Sequence, residues 1–233
     1  MITIVTANKN GSEFIDRLIN SLNHQTSKNF NWLIIDSNST DDSIHKIKTN
    51  AKFSYKIISQ NDFSIYHALN IALDHIDTDY YCVSGCDDYF DFDFVHNAEL
   101  IIHKKKYDLI FGCIISNNKV ISPLVKHQFL SPVNASHSIG TIIKKSLHID
   151  VGYYSKLYPV LADKKFVLDV LKSSKNIFYT NEVFGTYSQE GFSSLNSIDY
   201  LSDLLKLQIK SGRNIFIQTT LFFLRSVKVL LKK

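Results

Sequence analysis

The chain has 233 residues, of which 45% are apolar and 21% charged, a balance typical of a globular protein large enough to bury a full core. Its net charge of +4 hides an asymmetry. Residues from 204 onward carry seven Lys and Arg and no acid, which leaves 19 basic and 22 acidic side chains in the first 203 residues. A slightly acidic body with a basic tail argues against nucleic acid as a partner and for a local anionic partner of the tail.

The N-terminus and the cysteines bear on the cellular compartment. The chain opens MITIVTANKNG, without the charged region and long apolar run of a signal peptide, so we expect a cytoplasmic protein. Cys82, Cys86 and Cys113 are odd in number and lie in apolar runs, which favours reduced, buried thiols. A metal pair at Cys82 and Cys86 is the alternative, but no second Cys/His pair of suitable spacing supports it.

In the first half of the chain, short apolar runs alternate with stretches of helical period. Strands are predicted at residues 2–7, 31–36, 55–59, 79–85 and 107–115. Helices are predicted over 11–25, from 39 or 40 onward, over 64–76 and over 93–105. Asn10 and Glu13 are spaced as a capping pair for the first helix, and Ser39 or Thr40 is the expected N-cap of the second. This rhythm predicts a mostly parallel sheet with helices on both faces.

The second half has a different pattern. Residues 119–125 and 138–145 are strand-like, and residues 176–194 suggest two short strands and a polar turn. A helix is predicted over 162–174, with Asp163 in its first turn. We expect one α/β domain over residues 1–195, in halves of 1–115 and 116–195, followed by a helical tail over 196–233.

Polar side chains follow the predicted strands at the edge where ligands bind in parallel α/β sheets. They are Thr6 and Asn8 at the end of the first strand, Asp36 at the end of the second, and the adjacent Asp87 and Asp88 after the fourth. Helix capping is the simpler explanation for Asp41 and Asp42, and helix-dipole complementarity is the simpler one for Asp163. Asp87 and Asp88 by themselves fit a solvated turn, a helix cap, or a metal and phosphate site.

Two nucleotide-binding motifs are absent from the sequence. No G-x-G-x-x-G follows the first strand, and no G-x-x-x-x-G-K-[ST] occurs. Without a glycine-rich phosphate-binding loop, an anionic ligand must be bound by other groups. A divalent cation on a carboxylate pair is the usual substitute, and such hard oxygen ligands suit Mg²⁺ or Mn²⁺.

Six segments in order resemble a family 2 glycosyltransferase of the GT-A fold, over about residues 1–195. They are TAN after the first strand, IIDSNSTDDS, SIYHALNIAL, SGCDDYF, YPVLADKKFVLDVLK and YSQEGFSS. The resemblance is to the bacterial branch that assembles O-antigen, capsule or exopolysaccharide. It implies a Rossmann-like, mostly parallel sheet flanked by helices. It also implies transfer of a sugar, with inversion, from a nucleotide-diphospho-sugar (UDP being the commonest) to a saccharide or lipid-linked acceptor.

The resemblance also implies roles for individual residues. Contacts to the donor nucleotide or sugar are implied for Thr6, Asn8, Asp36, Asp62 and Asp87. Asp88 would hold Mn²⁺ or Mg²⁺ on the donor diphosphate. Asp163 would be the general base, and His137 and Tyr66 would line the donor or acceptor pocket.

Departures from the family pattern leave the donor open. The glycine and second acid usual in the Gln60–Asn70 run are Ser64 and His67 here. Two alternatives are a non-catalytic member that binds a nucleotide sugar or scaffolds an assembly, and a sugar nucleotidylyltransferase. The two retained carboxylates argue against the first. TANKNGSEF is a poor substitute for the glycine-rich basic loop that the second needs.

Residues 213–233 form the most apolar part of the tail. Gln218, Arg225 and Lys228 interrupt the run, so it is too short to span a bilayer. On a helical wheel these three and Lys232 form a narrow polar stripe beside a broad apolar face. This pattern predicts an amphipathic helix lying on the inner face of an anionic membrane. Packing against the body and pairing in a homodimer are the alternatives.

Overall fold

The computed structural model describes residues 1–61, 64–123, 137–173, 176–188 and 198–231. Within these ranges the chain forms one nine-stranded sheet. Four parallel strands make its first half, in the order β3-β2-β1-β4. They are β1 (Ile2–Asn8), β2 (Phe30–Asp36), β3 (Tyr55–Ser59) and β4 (Tyr80–Ser84). The parallel arrangement predicted for this part of the chain is confirmed.

Helices connect these strands as predicted. They are α1 (Ile15–Asn23), α2 (Ser43–Asn50), α3 (Ile65–His75) and α4 (Phe94–Lys104). Both predicted N-caps are wrong. Asn10 adopts a left-handed backbone, and α1 starts only after Phe14. The Ser39 hydroxyl donates to Asp36 at 2.6 Å, and α2 starts after Asp42.

The second half of the sheet is mixed. Strand β8 (Thr141–Lys144) lies between β4 and β6 (Leu109–Ser116) and is antiparallel to both. Beyond β6 come β9 (Ile177–Thr186), parallel to it, and β5 (Tyr89–Phe90), while β7 (Lys119–Ile121) pairs with β6. Residues 177–186 form one strand where two were predicted, because a register shift beside Cys113 lets β9 continue along β6.

Two apolar layers cover the sheet. Side chains of α1, α2 and α4 pack on one face, among them Leu18, Ile47 and Phe94. The other face is covered by α3, α5 (Leu147–Val151), α6 (Ala162–Lys172) and α7 (Ile198–Lys210), for example through Leu69 and Phe166. A last helix, α8 (Ile215–Leu230), contacts α7. In the described part of the chain, no helix has both the length and the apolar character needed to cross a membrane.

The three cysteines are free thiols, as predicted. Cys82 and Cys113 are buried, and Cys86 is half-buried. The Cys86 thiol lies 3.2 Å from Asn8 Oδ1, and burial raises its pKa to about 12. Cys86 is therefore a protonated, packed side chain beside the carboxyl edge of the sheet.

Candidate active site at the carboxyl edge of the sheet

A buried polar network closes the ends of β1 and β2. Asn8 and Asp36 are paired in the strand register, and the Asn8 amide donates to Asp36 Oδ1 at 2.8 Å. The same amide lies 3.1 Å from the Ser39 hydroxyl and 3.0 Å from that of Ser43. Asp36 also accepts the Ser39 backbone N–H. Because Asn8 and Asp36 are both buried, this network is a rigid floor beneath the crevice.

Thr6 lies deeper than Asn8. Its hydroxyl is fully buried, accepts the Trp32 indole N–H at 2.9 Å, and shares a 2.9 Å hydrogen bond with Ser84. The Thr6 side chain therefore ties three strands together, since Trp32 lies on β2 and Ser84 on β4. Nucleotide contacts of Thr6, Asn8 and Asp36 stay predictions. Asp62 lies outside the described residues.

The turn after β4 carries the two adjacent acids. Asp88 is fully buried and accepts two backbone N–H groups, from Gly85 at 3.0 Å and from Ser188 at 3.2 Å. Asp87 is half-buried beside it. A Cβ atom at position 85 would lie 2.5 Å from Asp87 Oδ1 and 3.3 Å from Asp88 Oδ2. A side chain at position 85 would therefore displace the Asp87 carboxylate from its present position.

The electrostatics of this turn favour a bound cation. Burial, and then the charge of Asp87, raise the pKa of Asp88 to about 7, although its two N–H partners act in the opposite direction. His137 Nδ1 lies 3.9 Å from Asp88 Oδ2. Burial lowers the pKa of His137 to about 4, so this imidazole is neutral at pH 7 and does not balance the carboxylates. Ionised Asp87 and Asp88 are thus a concentration of negative charge that a divalent cation would relieve.

These residues fit a divalent cation that is shared with a ligand. Carboxylate oxygens are the donors that Mg²⁺ and Mn²⁺ prefer. Within the described ranges, however, no cluster of three or more His, Cys, Asp and Glu side chains could form a complete metal cage. Mg²⁺ commonly keeps one or two carboxylates and takes its other ligands from water and substrate phosphates. The turn at Asp87 and Asp88 matches that kind of site.

Asp163 lies in the first turn of α6 and is half-buried. Both of its described hydrogen bonds fall on Oδ1, which accepts the Tyr66 hydroxyl at 2.8 Å and the Lys164 N–H at 2.7 Å. Burial, and then the charge of Asp163, raise the pKa of Tyr66 well above its ordinary value, so the phenol stays a donor. The Val160 carbonyl oxygen is also 2.8 Å from the Tyr66 hydroxyl, so the single phenol proton is shared between it and Asp163 Oδ1, and Tyr66 helps to position that oxygen.

His137 links the two carboxylate groups in space. It lies close to Asp88, and the charge of Asp163 acts to raise its pKa. Its ring stacks on Tyr187, with the centroids 4.0 Å apart. The structure therefore brings together Asp88, His137 and Asp163, from three separate parts of the chain, with Tyr66 directly behind Asp163.

Three residues around the site were missed in the sequence. Gly85 could have been found from its place before two acids. Ser188 contributes a backbone N–H, for which the sequence carries no signal. Asp203 of α7 is fully buried and accepts the N–H groups of Val160 and Leu161, just before Asp163. An acid in the apolar run LSDLLKL was the available signal for Asp203.

An α/β sheet with a polar crevice at its carboxyl edge and an anion-repelling pair of acids is typical of enzymes that bind nucleotides through a metal ion. The sequence profile described as Glycosyl transferase family 2 matches residues 2–164. The chain belongs to this family. No curated protein is significantly similar to it in sequence.

Solved structures extend the comparison. The chain resembles S. aureus TarS 1–349 in complex with UDP-GlcNAc, with a TM-score of 0.73, 16% identity, and coverage of 93% of this chain and 69% of that one. It resembles the mannosyltransferase PcManGT from Pyrobaculum calidifontis, in complex with GDP-Man and Mn²⁺, with a TM-score of 0.71, 14% identity, and coverage of 99% and 74%. It also resembles GalNAc-T7 with UDP, GalNAc and Mn²⁺, with a TM-score of 0.61, 13% identity, and coverage of 90% of this chain and 47% of that one. The expected GT-A fold, with a helical C-terminus, is confirmed.

Proposed function

We propose that this protein is a metal-dependent, inverting glycosyltransferase that uses a nucleotide-diphospho-sugar. The observation that carries the proposal is the pairing of two carboxylates in different settings. Asp88 is buried in a turn that favours a cation, and Asp163 is held on a separate helix by Tyr66. Displacement at an anomeric carbon needs both a site for the leaving group and a base for the acceptor hydroxyl.

In this proposal, Asp87 and Asp88 occupy the leaving-group side. Asp88 would hold Mn²⁺ or Mg²⁺, and Asp87 would face the ribose and the donor sugar. The bound cation would supply Lewis-acid neutralisation of the charge that develops on the departing diphosphate. The two backbone N–H groups on Asp88 hold its carboxylate in place. Support comes from PcManGT and GalNAc-T7, two proteins of similar fold that were solved with Mn²⁺.

Asp163 occupies the acceptor side. With Oδ1 held by Tyr66 and Lys164 N–H, the acceptor hydroxyl would donate to Oδ2 and pass its proton there as the new glycosidic bond forms. Attack from the face opposite the leaving diphosphate inverts the anomeric configuration. The neutral His137 would line the pocket between the two carboxylates without competing for the proton.

The donor base would be recognised over the floor formed by Asn8 and Asp36, with Thr6 beneath them, and Asp62 would make a further contact to the donor. UDP is the donor nucleotide that we propose, as in the TarS complex with UDP-GlcNAc. The acceptor would be a saccharide or a lipid-linked saccharide, and the product a bacterial cell-surface polysaccharide. The reaction would take place in the cytoplasm, at the inner face of the membrane.

A donor screen tests this proposal. Purified protein with Mn²⁺ is offered a panel of nucleotide sugars, and the release of nucleoside diphosphate is measured. We expect one donor class to be consumed, and removal of the metal with EDTA to abolish its consumption. With that donor and an accepted saccharide, Asp163→Asn should lower kcat by roughly 10²- to 10⁴-fold, since a positioned base contributes about that much.

The matched control is Asp77→Asn, an exposed acid ahead of β4, at the opposite edge of the sheet. It should leave kcat unchanged. NMR analysis of the product reports the anomeric configuration. Full activity of Asp163→Asn would remove Asp163 from the proposed mechanism, and retention of configuration would contradict direct displacement.

A further inference from the structure

The C-terminal helices α7 and α8 meet the rest of the protein in different ways. Helix α7 packs into the core through Leu204 and Leu207, and Lys210 forms a 3.0 Å ion pair with Asp169 of α6. After a turn with Gly212 in a left-handed conformation, α8 starts at a capping Asn214 and contacts α7. Helix α7 is thus an integral part of the fold, and α8 lies outside it.

The orientation of α8 departs from that of an ordinary surface helix. Gln218 is the only buried residue of α8, and it is polar. Gln218 Oε1 and Ser226 Oγ are both buried and have no hydrogen-bond partner among the described residues. Surface helices normally bury their apolar side and expose their polar side. Helix α8 instead turns Gln218 and Ser226 towards the protein, beside the partly buried Phe222 and Val229.

The outward side of α8 is mainly apolar, although the exposed Thr220 lies within it. At 100° per residue, its exposed large apolar side chains from Phe216 onward cover about 140° of the helix circumference. Phe216 is 81% exposed and Phe223 is 62% exposed. The side chains in this arc, called here the outer face of α8, are Phe216, Ile217, Phe223, Leu224, Val227, Leu230 and Leu231. Ile215 is also exposed but lies outside this arc. Scattered single apolar residues on a surface need no explanation, but a contiguous face of this kind marks an interaction site.

The charge around the outer face selects its partner. Lys228 is exposed at one edge of this face, and Arg225 is partly exposed nearby. No acid occurs from residue 204 onward, and Lys232 and Lys233 follow α8 in the sequence. A second copy of α8 would bring basic residues of both helices together without acids to balance them. An anionic phospholipid surface satisfies the apolar face and the basic residues at once.

We propose that α8 docks in the plane of an anionic lipid bilayer through its outer face, with Phe216 and Phe223 inserted among the acyl chains. Lys228 would extend from the edge of the face to the headgroups. The biological use of this contact, access to a lipid-linked acceptor, rests on the proposed function. The contact itself needs neither donor nor metal, so it can be measured independently of activity.

Vesicle flotation with the full chain tests this proposal. Vesicles of phosphatidylcholine alone are compared with vesicles that also contain phosphatidylglycerol, at low and high salt. We expect binding to the anionic vesicles, weakened by salt, and much weaker binding to the neutral ones. Phe223→Ser should weaken binding about tenfold, because a half-inserted phenylalanine accounts for an effect of that size. Lys228→Gln should weaken binding to the anionic vesicles alone, by about fivefold.

Exposed apolar residues elsewhere provide matched controls. Ile149 is 86% exposed and Leu157 is 75% exposed, and neither lies on α8. Ile149→Ser and Leu157→Ser should bind vesicles like the wild type. Circular dichroism of Phe223→Ser should show native helix content, because the side chain that is removed does not pack in the core.

Three outcomes would overturn this proposal. One is failure of the wild type to bind anionic vesicles, and a second is equal loss of binding in the Ile149→Ser control. The third is a wild-type dimer in solution that Phe223→Ser dissociates while neither protein binds vesicles, which would make a second copy the occupant. Asp163→Asn should bind vesicles normally, so a failure of the proposed chemistry leaves this test unaffected.

Discussion

The carboxyl edge of the sheet buries charge, whereas α8 exposes apolar side chains. Asp88 and Asp36 are buried within the domain, and Phe216 and Phe223 point away from it. Each arrangement costs free energy when the protein is alone, because buried charges lose hydration and exposed apolar surface orders water. The proposed partners would relieve both costs, a cation and a nucleotide at the sheet edge and a lipid interface at α8.

The two regions differ in how they are held. The buried acids sit in a fixed frame, since backbone N–H groups hold Asp88 and a hydroxyl-amide network holds Asp36. Helix α8 is tied to the protein chiefly through α7. The fixed frame at the sheet edge suits catalysis, which needs reacting groups held at defined positions. The looser attachment of α8 suits docking on a fluid membrane surface, which tolerates small changes in the position of the helix. The following substitutions probe each side of the comparison.

The largest effect is expected from Asp88→Asn. Activity should fall by at least about 10²-fold, because the cation loses its buried carboxylate. In the absence of metal, the free energy of unfolding of Asp88→Asn should be higher than that of the wild type. The folded-state pKa of Asp88, about 7, lies above its ordinary value of 3.8, so the fold loses stability as pH rises from 3.8 to about 7, and the loss then levels off. The full cost at pH 8 is about 4 kcal/mol, which the variant avoids.

Urea unfolding in the presence of EDTA, at pH 5 and pH 8, measures this effect. The quantity measured is the difference in the free energy of unfolding between Asp88→Asn and the wild type. That difference should grow with pH, and added Mn²⁺ should stabilise only the wild type. Asp77→Asn serves again as the control and should follow the wild type. Equal pH dependence in Asp88→Asn and the wild type would contradict the assigned burial of a charged Asp88.

Asp203→Ala should cost about 3 kcal/mol of stability. The buried carboxylate of Asp203 accepts the N–H groups of Val160 and Leu161 and pairs with Lys206 at 3.1 Å. Removing it leaves two buried donors without an acceptor. Thermal or urea unfolding checks this expectation against Asp199→Asn, an exposed acid in the first turn of the same helix, which should be near neutral. A cost below about 0.5 kcal/mol would show that water replaces the carboxylate.

Tyr66→Phe is expected to have a smaller effect, about tenfold on kcat. Without the phenol, the Asp163 carboxylate loses a hydrogen-bond donor that positions it, so kcat should fall while KM stays near the wild-type value. Tyr154→Phe removes another buried hydroxyl of the same cluster, one bonded to Tyr81. That control should lower stability and leave kcat unchanged. A kcat in Tyr66→Phe equal to that of the wild type would reduce Tyr66 to a packing residue.

Much of the first half of the fold could be predicted from sequence, because parallel strands and their helices repeat a local pattern. The positions of Asp87 and Asp88 at a strand end, and of Asp163 in a helix's first turn, followed from the same pattern. The insertion of β8 between β4 and β6 could not be predicted, since strand order depends on long-range pairing. The predicted cap at Asn10 was wrong because the Asn10 side chain accepts the Thr40 N–H instead.

The contacts that organise the site were beyond prediction for a related reason. Tyr66 and Asp163 are 97 residues apart in the chain, and Asp88 and Ser188 are 100 apart. Their meeting depends on how the layers pack, which periodicity does not report. The helical wheel predicted a narrow polar stripe beside a broad apolar face. It could not tell that Gln218 of this stripe is buried against the protein while Lys228 is exposed, because that depends on how α8 meets α7.

The carboxylate of Asp203 limits how far this protein can be truncated from its C-terminal end. It lies in a helix near the C-terminus, yet it holds the two residues that lead into the helix of Asp163. A truncation after Gly212 would remove α8 and keep the contacts of Asp203 with Val160 and Leu161. A truncation before residue 198 would take away the support of the proposed base, although every residue at the sheet edge would still be present. The unit that keeps the Asp163 helix anchored therefore extends well past the segment that matches the family, which ends at residue 164.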